Sequence, residues 1–168
     1  MEDCRLTPVE LYFLGVLLKA DHIDFQYIKD LPDIENNYRV IEEKTYDRLE
    51  ERGMIVQDFD GTITVEEYIT NLLKPIFFGL VECRVSTTWS EGNLHVLDEK
   101  MTFLSKEHDF YILEKMDVEK LKEMIMDQDL DLQSMNIQKG YLDESFTEEE
   151  MNHPDTIERA ISIMKGEW

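Results

Sequence analysis

Residues 58–62 run Asp-Phe-Asp-Gly-Thr, inside the longer stretch LEERGMIVQDFDGTITVEE. Two aspartates one residue apart, followed by Gly-Thr, open the active site of haloacid-dehalogenase-type phosphohydrolases. There the first carboxylate attacks phosphorus and the second handles protons. On that pattern Asp58 is the nucleophile and Asp60 the acid/base, which requires a metal ion and further charged partners. The apolar Met54-Ile55-Val56 could be the strand that presents a nucleophile. The partners are missing. Asp98 and Glu99 form a later acidic pair, but no glycine-plus-acid metal loop accompanies them. More than fifty residues precede the motif, read as largely helical, and no helix–strand alternation of a parallel sheet follows it. A motif without its context is a turn. Asp60-Gly61 between MIVQDF and TITVEE is a hairpin signal, since such a turn favours residues that tolerate positive φ.

Other chemistry finds no better footing. The histidines His22, His95, His108 and His153 are scattered, with no ligand at i+4 and no Cys/His cluster. Cys4 and Cys83 lie far apart in no metal-like spacing. They fit a reducing cytosol, with Cys83 as a small buried hydrophobe. Neither a GxSxG elbow nor a phosphate-binding glycine loop occurs. The expectation is a non-enzymatic chain with no catalytic, cofactor or metal residues.

The elements around the hairpin follow from pattern. Thr7-Pro8-Val9-Glu10 is a capping box with proline at the first helical position, and the following LYFLGVLLKA is apolar nearly all round. DFQYIKDL (24–31) predicts a short helix ended by Pro32. A third helix is expected from about Ile34 to Arg52, with Ile34, Tyr38, Ile41, Thr45 and Leu49 on one face and Gly53 ending it. EEYITNLL (66–73) predicts a short helix stopping before Pro75. In VECRVSTTW, Val81, Cys83, Val85, Thr87 and Trp89 alternate with polar residues, the pattern of a half-buried antiparallel strand. Ser90-Glu91-Gly92-Asn93 predicts a turn, and LHVLD, KMTFLS and DFYILEK continue the meander. Asp117 caps a helix to about Gln128 that presents Val118, Leu121, Met124 and Ile125.

From residue 129 onward the expectation is a more acidic, helical part. Residues 117–168 hold 14 acidic against 5 basic side chains. Capping boxes at Thr147–Glu150 and Asp155–Glu158 lead to a last helix with Ile157, Ala160, Ile161 and Met164 as its apolar face. The fold class is α+β: N-terminal helices with a winged-helix-like hairpin, a central antiparallel sheet and C-terminal helices. The 168 residues, 42% of them hydrophobic, suit one domain over 1–168 that buries roughly 70% of its unfolded surface.

Charge decides among partners. With 38 acidic and 17 basic residues the net charge is −21, which repels nucleic-acid backbones and anionic lipid. In a winged-helix reading, VIEEKTYDRLEER (40–52) would be the recognition helix and 54–65 the wing. That helix holds five acidic and three basic residues, so the shape is compatible with DNA readers and the charge is not. The start MEDCRLTPVE does not resemble a signal peptide, and no apolar stretch approaches the ~20 residues that span a bilayer. A cytoplasmic protein without membrane insertion is expected. Adaptable apolar side chains framed by acid suit a surface that holds an amphipathic protein partner. Trp89, Leu94, Phe146, Met151 and Trp168 are the candidate partner-binding residues.

Four short motifs carry a resemblance: Leu6-Thr7 with Glu10, Leu49 with Arg52-Gly53-Met54, Asp60-Gly61, and Leu72 with Pro75, followed by the strand FFGLVECRV. Over roughly residues 6–115 the chain resembles the EspG-like chaperones of type VII (ESX) secretion, and more closely their short relatives of the EsaE kind. It lacks room for the second half of the larger members. The resemblance implies a cytosolic chaperone or adaptor that binds a secreted effector, often a toxin, with a helical-hairpin N-terminus. It would keep that effector soluble and competent for the secretion ATPase, and no catalytic residues carry over. An antitoxin-like immunity protein that neutralises a toxin is the alternative.

Overall fold

The computed structural model describes residues 4–21, 36–88, 91–127 and 132–166. Strand β1 (Cys4–Leu6) leads into α1 (Pro8–Leu17), whose N-cap Thr7 and Glu10 form the expected capping box. Helix α2 (Tyr38–Glu51) follows, then the hairpin β2 (Ile55–Gln57) and β3 (Ile63–Val65). Helix α3 (Glu67–Phe78) leads to strands β4 (Val81–Thr87), β5 (Glu91–Leu97), β6 (Lys100–Glu107) and β7 (Phe110–Met116). Helix α4 (Val118–Met126), capped by Asp117, precedes β8 (Leu132–Lys139) and β9 (Leu142–Thr147). Helices α5 (Glu148–Met151) and α6 (Pro154–Lys165) end the described chain. The fold is α+β, with a seven-stranded antiparallel sheet in the order β1-β7-β6-β5-β4-β8-β9.

The sheet carries two cores on opposite faces. Cys83 pairs with Leu94 and Ile137, and Leu94 with Phe103, so these side chains share one face. That face is sealed by Leu121 and Ile125 of α4, Met151 of α5, and Ile157, Ala160, Ile161 and Met164 of α6. Leu104, the residue after Phe103, points the other way and pairs with Leu113, which pairs with Cys4. This second face lies under Leu11, Phe13 and Leu14 of α1, Tyr46 and Leu49 of α2, and Ile69 and Leu73 of α3.

Several expectations change on contact with the sheet. Helix α3 does not stop before Pro75 but runs through it to Phe78. Proline cannot donate to the Asn71 carbonyl. The helix is held through this point by the strand beneath, whose buried Thr102 hydroxyl donates to the next carbonyl along, that of Leu72, at 2.7 Å. The helix stops at Gly79 instead, where an added Cβ would sit 2.2 Å from the Pro75 carbonyl oxygen and 2.8 Å from that of Val96. Of the turn expected at Ser90–Asn93, Glu91, Gly92 and Asn93 are already inside β5, the Phe103 ring occupies the space beside Gly92, and Ser90 lies outside the described residues.

The part after residue 129 is not simply helical. Residues Leu132–Thr147 form β8 and β9, because Met135, Ile137 and Phe146 complete the core face of the sheet. Helix α6 starts at Pro154 with His153 as N-cap, so Asp155–Glu158 is not its capping box. The expected helix 24–31, and Ile34 at the start of the third, lie outside the described residues.

Candidate partner-binding surface

The Asp58–Thr62 loop is a hairpin corner closed by its own hydrogen bonds. The Asp58 N–H donates to the Thr62 carbonyl (2.8 Å) and the Gly61 N–H to the Asp58 carbonyl (3.0 Å). The Asp60 carboxylate accepts the Thr62 N–H at 2.9 Å, which holds its carboxyl below the usual carboxylate range. Only Gly61 has positive φ (86°), so the loop is Phe59-Asp60-Gly61 rather than a two-residue Asp-Gly turn. Asp58 and Asp60 both face solvent on a small separate sheet. Among the described residues, no three His, Cys, Asp or Glu side chains converge as metal ligands would. Phe59, between the two acids, is fully exposed.

A second tip is built differently. Lys139 pairs with Leu142, leaving Gly140-Tyr141 as a two-residue turn with Gly140 at φ 59°. Glycine at the first central position suits this turn. It throws the Tyr141 ring fully into solvent.

Half of the sheet has a polar second face. On β4, β8 and β9 the residues opposite the core are polar: Glu82, Arg84 and Ser86, then Asn136 and Gln138, then Asp143 and Ser145. Asn136 Nδ2 bridges Asp143 Oδ1 (2.6 Å) and Ser145 Oγ (2.8 Å), which stiffens the edge strand against its neighbour. On the sheet's other face, a cleft of about 360 Å³ opens between the end of α4, the start of β8 and the helices α5 and α6. Ile125, Leu132, Met151 and Ile157 line it, with Asp127 and Glu148 beside them and the Met126 side chain 70% exposed. Its chemistry is apolar with acid at hand.

Of the five candidate residues from sequence, Leu94, Phe146 and Met151 lie among the described residues, in one core cluster. Leu94, Phe146 and Met151 are buried, because each lies on the core face of its strand or helix. Of these, Met151 also lines the small cleft. Trp89 and Trp168 lie outside the described residues. Phe59, Tyr141, Leu80 and Met126 are the most exposed large apolar side chains among the described residues, and none was among the candidates from sequence. The signal for Tyr141 was available in Lys-Gly-Tyr-Leu, had β8 and β9 been recognised as strands.

No family model matches this chain, and no curated protein matches it. A solved structure does. Its fold is similar to that of the Mycobacterium tuberculosis type VII secretion system chaperone EspG5, solved in complex with a PE25-PPE41 dimer. The TM-score is 0.52 at 12% sequence identity, over 76% of this chain and 51% of the EspG5 chain. The likeness is one of fold. This chain spans about half the length of that neighbour. Among the described residues, no helix is long and apolar enough to cross a membrane.

Proposed function

We propose that this protein is a non-enzymatic chaperone or adaptor for an effector of type VII secretion, working in the cytoplasm. The observation that carries the reading is the fold likeness to EspG5, itself solved with a PE25-PPE41 dimer bound. The surface is suited to the task. A polar half-sheet, two aromatic hairpin tips and, on the opposite face of the sheet, an acid-flanked cleft offer separate surfaces to a protein partner. A net charge of −21 keeps such a holder soluble and draws basic clients.

Deletion of the gene in its host, followed by measurement of effector abundance and export, tests the reading. Loss of an effector from both cell and medium, restored by the wild-type chain and accompanied by co-purification, is the expected result. Unchanged export of every type VII effector would remove the proposal. Death of the toxin producer with export intact would support the immunity reading instead.

A further inference from the structure

The two edges of the seven-stranded sheet are finished differently. At one end β1 is three residues long, and the Arg52 guanidinium takes the Arg5 carbonyl. At the other end β9 is six residues long and, among the described residues, pairs with β8 alone. Its register runs unbroken from Leu142 to Thr147, without a bulge or a proline, two of the devices that blunt an edge. The Gly140-Tyr141 turn fixes which backbone groups face outward. In a two-residue hairpin the flanking residues, here Lys139 and Leu142, exchange both ladder bonds, and every second pair after them does the same. Leu142, Glu144 and Phe146 therefore turn their N–H and C=O groups to β8, while Asp143, Ser145 and Thr147 turn theirs away from the sheet. Thr147 is closed off: its N–H donates to Glu150 Oε2 at 2.7 Å, and as N-cap its carbonyl begins α5. Asp143 and Ser145, both exposed, are left as a pairing template.

Charge selects what can use that template. Asp143 and Glu144 lie on the strand, and Glu148, Glu149 and Glu150, all exposed, follow it directly on α5. Lys139, across the ladder from Leu142, and Arg159, whose Nη2 reaches both Glu144 oxygens at 3.0 Å, offset two of these five acids. A second copy is a poor occupant. Laying β9 against β9 would set the same acids opposite one another, between two chains that each carry a net charge of −21. The acids thus guard the edge against its own kind, and they attract a strand of the opposite charge.

We infer that the β9 edge takes an extended, basic segment of a partner protein as an eighth strand. The segment's backbone pairs with Asp143 and Ser145, and its lysine or arginine side chains lie over Asp143 and the glutamates of α5. Backbone pairing supplies the attachment, and the acids choose the partner. The inference rests on the reading that the protein binds partner proteins, but not on the identity of the effector.

The test titrates the full chain into three fluorescein-labelled peptides: one alternating threonine with lysine, one alternating threonine with glutamate, and the lysine peptide with every backbone amide N-methylated. The lysine peptide should bind, more weakly as salt rises. The N-methylated peptide keeps every charge but cannot donate to a strand, and should bind at least about tenfold more weakly. In amide exchange followed by NMR, saturating lysine peptide should slow Asp143 and Ser145 by about tenfold or more. D143N/E148Q/E149Q keeps an acceptor for Asn136 and should weaken binding about tenfold while the melting temperature stays within a few degrees. Absent binding of the lysine peptide, equal binding of the glutamate or N-methylated peptide, unchanged binding to the triple variant, or protection elsewhere than at Asp143 and Ser145 each overturns the inference. If the lysine peptide does not bind while effector export still depends on the chain, this inference falls and the chaperone reading stands. If export never depends on the chain, the chaperone reading falls and the peptide result decides the edge by itself.

Discussion

Arg52 reaches from the end of α2 to Glu10 in the first turn of α1, with Nη1 2.9 Å from Oε2 of a carboxylate whose side chain is 4% exposed. The same guanidinium donates to the Arg5 carbonyl, and Glu10 also accepts the Thr7 N–H. One ion pair thus ties β1, α1 and the entrance of the β2–β3 hairpin. Arg52→Met should destabilise the fold by about 2–3 kcal/mol, because it leaves a buried carboxylate without its cation. Urea denaturation of the single variant and of Glu10→Gln/Arg52→Met checks the cause. The double variant should recover part of the loss, and equal losses in both would refute it.

Gly79 and Gly92 look alike in sequence and should not behave alike. A Cβ at Gly79 would meet two backbone carbonyls, whereas at Gly92 it would meet the Phe103 ring, which is half-buried and can swing away. Gly79→Ala is therefore expected to cost about 2–3 kcal/mol and Gly92→Ala about 1 kcal/mol or less. Thermal melts of both variants measure the difference; a larger effect at Gly92 would contradict the packing described.

The Asp58–Thr62 loop should answer as a turn. Asp58→Asn should leave effector export unchanged, and a loss of function would revive the nucleophile. Asp60→Asn keeps an acceptor for the Thr62 N–H, while Asp60→Ala removes it and should loosen the tip, read as faster amide exchange at Thr62. The folded-state Asp60 carboxyl lies below its ordinary 3.8, so its contribution is present above that value and is lost as pH falls through the depressed one. The Thr62 amide shift should accordingly titrate below pH 3.8.

Both thiols should be silent in the native state. Burial pushes Cys4 from 9.0 up to about 11, with nearby Arg52 opposing the shift, and pushes Cys83 higher still. A thiol reagent at pH 8 should therefore modify neither until denaturant is added. Because the folded state holds these protons more tightly, their contribution is complete below pH 9 and is lost as pH rises toward 11. Burial raises Tyr46 as well, to about 12, with the Glu42 charge adding to the effect, so alkaline unfolding should be steep. Stability that stays flat from pH 8 to 11 would count against this burial.

Local signals were legible where the chemistry is local. The Thr7–Glu10 and Thr147–Glu150 boxes, the Asp117 cap and the alternation Val81-Cys83-Val85 all stand in the structure. Pro75 misled because α3 is held by tertiary contacts, with Ile69 and Leu73 in the core and the Leu72 carbonyl bound by the Thr102 hydroxyl on the strand below. Residues Leu132–Lys139 misled because LQSMNIQK alternates imperfectly: a bulge opposite Ser86–Thr87 shifts the register, so Leu132 still reaches the core.

Sequence alone determined the α+β class, the caps of α1, α4 and α5, and DFDGT as a hairpin corner, since capping, alternation and glycine at positive φ act within a few residues. Which apolar side chains stay outside was decided only by the tertiary structure. Leu94, Phe146 and Met151 look as available as any until register places them on the core face, while Phe59 and Tyr141 are left at tips where nothing folds back over them. A cleft beside α3 has the same origin. Lys74 meets Asp98, Lys100 and Lys115 around it because α3 packs on β5, β6 and β7.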